Sequence, residues 1–162
     1  TAALLDTPAL EAIRGVFARG GVLGGSSAGL ACMSEVMITG EGDFTVLRAG
    51  AVETKPGLGF VRDAILDQHF VARQRLNRLL SASFEHGLPG LGVDEQTAIW
   101  IRPDGTIEVS GERSVVVVDP RRAAVHRLDE ERPRFGARGV TLEVYLPGER
   151  FRLDGAPPEV ER

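Results

Sequence analysis

The chain is 162 residues long, 43% hydrophobic and 26% charged, with a formal net charge of −4. This suits one globular domain and excludes a disordered, collagen-like or disulfide-stapled chain. The single cysteine, Cys32, excludes an internal disulfide and a Cys-built zinc cage; no apolar run reaches the roughly 20 residues of a membrane span, and the acidic balance gives no general nucleic-acid footprint.

In chain order, the first segment from Thr1 to Arg19 reads as helix, broken by Asp6-Thr7-Pro8, where Thr7 or Asp6 caps and Pro8 opens the first turn. Gly20-Gly21 stops it. Val22-Leu23 is a short apolar run expected as a buried strand, and Gly24 to Gly29 a sharp turn. Leu30 to Ile38 is expected as helix, giving the strand–turn–helix connection of an α/β sheet. Thr39 to Gly59 is Gly-rich and polar, with a short hairpin expected through Phe44–Leu47 and Ala51–Val52. Ile65 to Phe70 reads as strand and Val71 to Phe84 as amphipathic helix with a basic side. Leu91–Val93 and Thr97–Ile101 are strand candidates. Pro103-Asp104-Gly105 is a turn signal, so Ala98–Ile101 and Thr106–Val109 are expected to form a hairpin. The β-branched run Val115–Val118 is expected as a central strand. Arg121 to Arg138 is charged surface, Val140 to Leu146 alternates as strand, and the acidic, Pro-containing tail from Asp154 is expected to fray.

Gly25-Ser26-Ser27-Ala28-Gly29 matches Gly-x-Ser-x-Gly between an expected strand and an expected helix. A nucleophilic serine in this pattern sits on a strained turn that lifts its hydroxyl, while flanking glycines remove clashes. Ser27 is the central serine and the candidate nucleophile, with Ser26 an auxiliary donor. The N–H of Ala28, at the helix start, is the candidate oxyanion donor. A structural Gly/Ser turn without chemistry is the competing reading. A phosphate loop is disfavoured, since no Gly-Lys-Ser/Thr follows.

A serine nucleophile needs a base. His126 lies in a run of Arg and acid, and His86 precedes Gly87 at a helix end. His69 ends the strand Ile65–Phe70, and strand C-termini are where open α/β sheets build sites. Ser27 with His69 is therefore the expected dyad. Arg73, Arg75 and Arg78 follow, and guanidinium forks there suit an acidic substrate, against the ordinary reading of a solvated helix face. Asp94-Glu95 is a second strand-end acidic pair, able to orient an imidazole or meet a cation.

Four ordered blocks of the chain resemble the cyanophycinase family. They are Gly25 to Leu30 with Met33-Ser34 and Met37-Ile38; Gly57-Leu58-Gly59-Phe60 followed by Asp67-Gln68-His69-Phe70, Arg73, Arg75, Arg78 and Leu79; Gly90 to Ala98; and Val144 to Phe151. The resemblance runs from about Thr7 to about Leu153. It implies a serine peptidase related to aspartyl dipeptidases, with a three-layer α/β sandwich, a mostly parallel central sheet and a class I glutamine amidotransferase-like fold. It implies Ser27 as nucleophile, His69 as base, and Asp67, Gln68, Arg73, Arg75 and Arg78 as substrate-binding residues; Glu95 is a further substrate-binding candidate, for a cationic side chain. The implied substrate is cyanophycin, a poly-aspartate bearing side-chain arginines, or another β-aspartyl-arginine peptide. No metal or cofactor is implied. The third triad member stays open among Glu41, Asp43, Glu53 and Glu95.

Residues 1–162 would form the C-terminal part of a single hydrolase domain. The family's early strands and a Gly-Gly-Asp/Asn-Gln segment have no counterpart here, and Ser26 stands where Thr is usual. The N-terminal strands are then expected from a companion chain. The expected partners are that chain, an aspartate-rich peptide and a further copy, with neither nucleic acid nor membrane, in the cytoplasm. Two rival readings remain. Thr1 could be an N-terminal nucleophile released by self-cleavage, with its own amine as base. Alternatively, the chain is a degenerate member that binds acidic peptides without catalysis.

Overall fold

The computed structural model describes residues 1–128, 131 and 133–153. The chain is an α/β protein. Helix α1 spans Pro8–Ala18; the Thr7 side chain accepts from the Leu10 amide at 3.3 Å, and Pro8 occupies the first turn. Its end at Gly20, with φ of 85°, matches the expected stop. Leu10 is buried, and Phe17 meets Phe60 edge-to-face at 5.5 Å.

Two expectations fail between α1 and residue 56. Val22-Leu23 is not a strand: among the described residues it has no partner to complete a ladder, and Val22 is exposed. The helix after the Gly turn, α2, spans only Ala28–Ala31. Ser34 is fully buried, its hydroxyl accepts from the Leu66 amide at 2.8 Å, and its backbone bridges to Val61. That buried demand pulls the chain out of helix. The β-branched residues that follow enter strand β1, Val36–Gly42, which pairs antiparallel with β2, Val52–Pro56. Phe44–Leu47 lies in their connection.

The central sheet contains β3 (Ile65–Gln68), β4 (Gly90–Val93), β7 (Val115–Asp119) and β10 (Thr141–Tyr145), in the order β10-β7-β4-β3. β3 and β4 run parallel; β4–β7 and β7–β10 are antiparallel. Among the described residues this sheet is thus mixed, where a mostly parallel one was expected. β7 is buried on both faces, as its all-valine run requires.

Helix α3, Leu76–His86, covers one face. There Leu79 and Ala82 pack with Ile65, Phe70, Val116 and Val118. Gly90 and Gly92 permit the approach: a Cβ on Gly90 would lie 2.6 Å from Leu79, and one on Gly92 would lie 2.2 Å from the Phe70 ring. α3 begins five residues later than expected, because residues 71–75 form turns. The other face packs against a second sheet, ordered β11-β6-β5, of β5 (Thr97–Ile101), β6 (Ile107–Gly111) and β11 (Arg150–Phe151). β5 and β6 are the expected hairpin. Leu66, Leu91, Val115 and Val117 meet Ile107, Val109 and Phe151 there. Within the charged run expected as plain surface, β8 (Ala124–Leu128) and β9 (Arg134–Arg138) form a two-stranded ribbon, anchored on α3 by Phe135 against Phe84 at 5.8 Å. The tail from Asp154 lies outside the described residues. No described helix is long and apolar enough to cross a membrane.

Candidate active site

The parallel pair β3–β4 decides where the candidate side chains meet. With Gln68 beside Val93 in register, both strands end on one rim, and parallel neighbours lie about 4.8 Å apart. His69 leaves β3 there, and Asp94-Glu95 leaves β4. α2 packs against β3 and brings Ser27 to the same rim.

Ser27 caps α2 with φ of 54° and ψ of −121°, a conformation costly for a residue with a Cβ. Gly25 makes this turn possible, since a Cβ there would lie 2.2 Å from the Gly29 carbonyl oxygen. Gly29 itself has open space around its would-be Cβ. The carbonyls of Ser26 and Ser27 accept from the Gly29 and Leu30 amides. The Ala28 amide has no partner among the described residues.

Ser27 Oγ lies 2.9 Å from His69 Nε2, and His69 Nδ1 lies 3.2 Å from Glu95 Oε1. An ionised carboxylate only accepts hydrogen bonds, so Nδ1 carries the proton and Nε2 is left to accept from the Ser27 hydroxyl. Ser27 is exposed, whereas the His69 side chain keeps 26% of its surface and Glu95 40%. His69 also has a positive φ, 49°, and Gln96 after Glu95 has φ of 53°. Ser27, His69 and Glu95 thus stand on or beside strained turns.

The turns are tied together behind the site. Asp94, nearly buried, accepts from the Ala72 amide at 3.0 Å, and Arg113 Nη1 reaches its other oxygen at 3.5 Å. Burial raises the Asp94 carboxyl, but the amides of Ala72 and Glu95 and the Arg113 guanidinium outweigh it and hold the carboxyl below its ordinary range. Arg113 was not a candidate from sequence, and no motif marks it.

The expected substrate-binding residues divide. Asp67 is fully buried and Arg78 nearly so, and they form a two-pronged ion pair, with Arg78 Nε to Asp67 Oδ2 at 2.7 Å. Both are committed to each other behind the site. Arg75 Nη1 donates to the Gln68 carbonyl and to Gln68 Oε1, each at 2.7 Å. Burial, then the neighbouring Arg78, lowers the Arg75 guanidinium from its ordinary value. Arg73 is exposed, and its amide donates to the His69 carbonyl.

The other acid candidates bind elsewhere. Asp43 accepts from Thr45, Glu53 accepts from the Thr39 hydroxyl and pairs with Lys55, and Glu41 is exposed on β1. Of the four, Glu95 is the acid that meets His69. His86 bonds Thr54, and His126 lies over Gly136. The Thr1 hydroxyl points at the Met37 sulfur, 3.2 Å away, and no contact joins it to the Ser27–His69 pair. A cavity of about 300 Å³ bounded by Phe60, Leu91, Ile107 and Leu153 includes neither Ser27 nor His69. Among the described residues, no three acid, His or Cys side chains cluster as metal ligands.

A sequence profile of peptidase family S51 matches residues 2–109. The chain belongs to peptidase family S51. It is 37% identical over 159 residues to a cyanophycinase of Trichormus variabilis, covering 93% of this chain and 52% of that protein. It is 43% identical over 122 residues to a cyanophycinase of Synechococcus elongatus, covering 74% and 38% respectively. A cyanophycinase of Geminocystis herdmanii is 42% identical over 118 residues, covering 72% and 43%. The S51 chain described here therefore spans about half the length, or less, of these relatives.

Proposed function

We propose that this S51 chain carries the nucleophile, base and orienting acid of a cyanophycinase-like serine peptidase. The observation that carries the reading is the continuous relay Ser27–His69–Glu95, at 2.9 and 3.2 Å. Ser27 Oγ attacks the substrate carbonyl carbon while His69 Nε2 takes the hydroxyl proton. Glu95 holds the Nδ1–H and stabilises the imidazolium that forms. The Ala28 N–H faces the developing oxyanion. The C–N bond then breaks, His69 delivers its proton to the leaving amine, and an ester remains on Ser27. Water, deprotonated by His69, attacks that ester and restores the hydroxyl.

The substrate in this reading is an aspartyl peptide of the cyanophycin type, as the names of the relatives suggest. Arg73, exposed beside the base, and Arg75, held by Gln68, supply guanidinium forks for the aspartate backbone. Arg78 acts through Asp67, by fixing α3 against β3. In the same reading the described sheet is the C-terminal part of a three-layer, amidotransferase-like sandwich. A companion segment completes its parallel half at the β3 edge, and the setting is cytoplasmic.

The test is release of β-aspartyl-arginine from purified cyanophycin, followed by mass spectrometry. The wild-type protein should release the dipeptide, and Ser27→Ala should cut the rate by at least about 10³-fold. Undiminished release by a folded Ser27→Ala protein would reject the mechanism.

A further inference from the structure

Glu95 is the loosely held end of the relay. Its side chain keeps 40% of its surface, and among the described residues its carboxylate meets one side chain, that of His69. Packing around the carboxylate therefore does not fix it, and its place is set by the backbone that carries it. That backbone leaves β4 at Val93 and enters β5 at Thr97, with Gln96 at φ of 53° between them. A turn this short, with a left-handed residue beside Glu95, persists only when its surroundings hold it.

The hold comes from the turn between β6 and β7, residues 112–114. The Asp94 amide donates to the Ser114 carbonyl at 3.2 Å, and the Glu112 amide donates to the Gln96 carbonyl at 2.9 Å. Gly111, with φ of 113°, lets the two segments close up, since a Cβ there would collide with the Gln96 carbonyl oxygen. Between these contacts stands the Thr97 hydroxyl. It accepts from the Arg113 amide at 3.0 Å and donates to the Glu95 carbonyl at 3.1 Å. A hydroxyl has one proton to give, and here it goes to the residue that carries the acid. On the other side of Glu95, the Arg113 guanidinium lies 3.5 Å from the Asp94 carboxylate. Arg113 thus reaches both neighbours of the Glu95 turn, Asp94 through its side chain and Thr97 through its backbone. We infer that Thr97 is a positioning residue: anchored on the β6–β7 turn, its hydroxyl holds Glu95 within reach of His69. The inference rests on the Ser27–His69–Glu95 mechanism proposed above.

Thr97→Val keeps the shape and removes both hydrogen bonds. Steady-state release of β-aspartyl-arginine by the intact protein should show kcat lowered by at least about tenfold, toward the roughly 10²-fold that a misplacement of about 1 Å costs, with KM little changed. Thr97→Ser, which keeps the hydroxyl, should restore kcat. In a Glu95→Ala background no carboxylate is left to place, so Thr97→Val should alter the residual kcat by less than about twofold. Arg113→Ala removes the Asp94 arm alone; it should lower kcat beside Glu95 and leave it unaltered beside Glu95→Ala, and it carries the test where Thr97→Val does not fold. A folded Thr97→Val protein with wild-type kcat would overturn the inference. So would an equal fall in both backgrounds, because the hydroxyl would then act on something other than Glu95. A Glu95→Ala protein as active as wild type would instead overturn the relay, and this inference with it.

Discussion

At the scale of residues, the site turns on which carboxylate meets the imidazole. The meeting of Ser27 with His69 was legible from local pattern, a serine between close glycines and a histidine at a strand end. Glu95 was one of four acids, because spacing along a chain does not say which loop folds back. β3 and β4 running parallel with Gln68 beside Val93 bring Glu95, of the four, beside His69, since their next residues share a rim. The three arginines looked alike in sequence, and burial separates them. Glu95→Gln keeps the shape and removes the charge that stabilises the imidazolium. A fall in kcat of about 10²–10⁴-fold is expected, by analogy with amide substitution in serine triads, with KM and melting temperature little changed. Glu53→Gln, paired with Thr39 and Lys55 away from His69, should leave kcat unaltered. Steady-state kinetics on both variants checks the contrast.

At the scale of elements, short strands and tight turns do the positioning, and buried charges tie them. Arg78→Ala strands the fully buried Asp67 carboxylate and should cost about 3–5 kcal/mol. Arg73→Ala, at an exposed position, should leave the denaturation midpoint within about 0.5 kcal/mol and raise KM for an acidic substrate. Chemical denaturation and kinetics together separate the two arginines. Asp94 links the turn after His69 to the turn that carries Glu95. Its carboxyl is held below the ordinary value of about 3.9. A depressed folded-state value means that the stabilisation is complete above that ordinary value and is lost as pH falls through the lower folded one. Unfolding free energy should therefore drop below about pH 4, and Asp94→Asn should flatten that drop, as measured by denaturant titration across pH. The helix expected over Leu30–Ile38 failed for a reason invisible to periodicity. Ser34 is a buried acceptor for the Leu66 amide, a long-range demand that overrides local preference.

At the scale of the whole molecule, the chain reads as an α/β protein from its alternation of glycine turns, apolar runs and one amphipathic helix, and it is one. The mixed order of the central sheet was not legible. Val115–Val118 announces a doubly buried strand, but not its direction, and direction is set by the route through β5 and β6 rather than by the valines. The exposure of Leu142 and Val144 on β10 was hidden too: Val140–Leu146 alternates correctly, yet alternation does not reveal that α3 stops short of covering them. The rim that holds the relay depends on β3, β4 and α2 together, so the central claim is best read on the intact protein. The most direct measurement is labelling by a serine-directed fluorophosphonate, followed by intact mass and peptide mapping. The relay predicts one adduct, on Ser27, abolished by Ser27→Ala and strongly slowed by His69→Ala. Absence of an adduct on Ser27 in the folded protein, or an adduct on Thr1 that persists in Ser27→Ala, would contradict it.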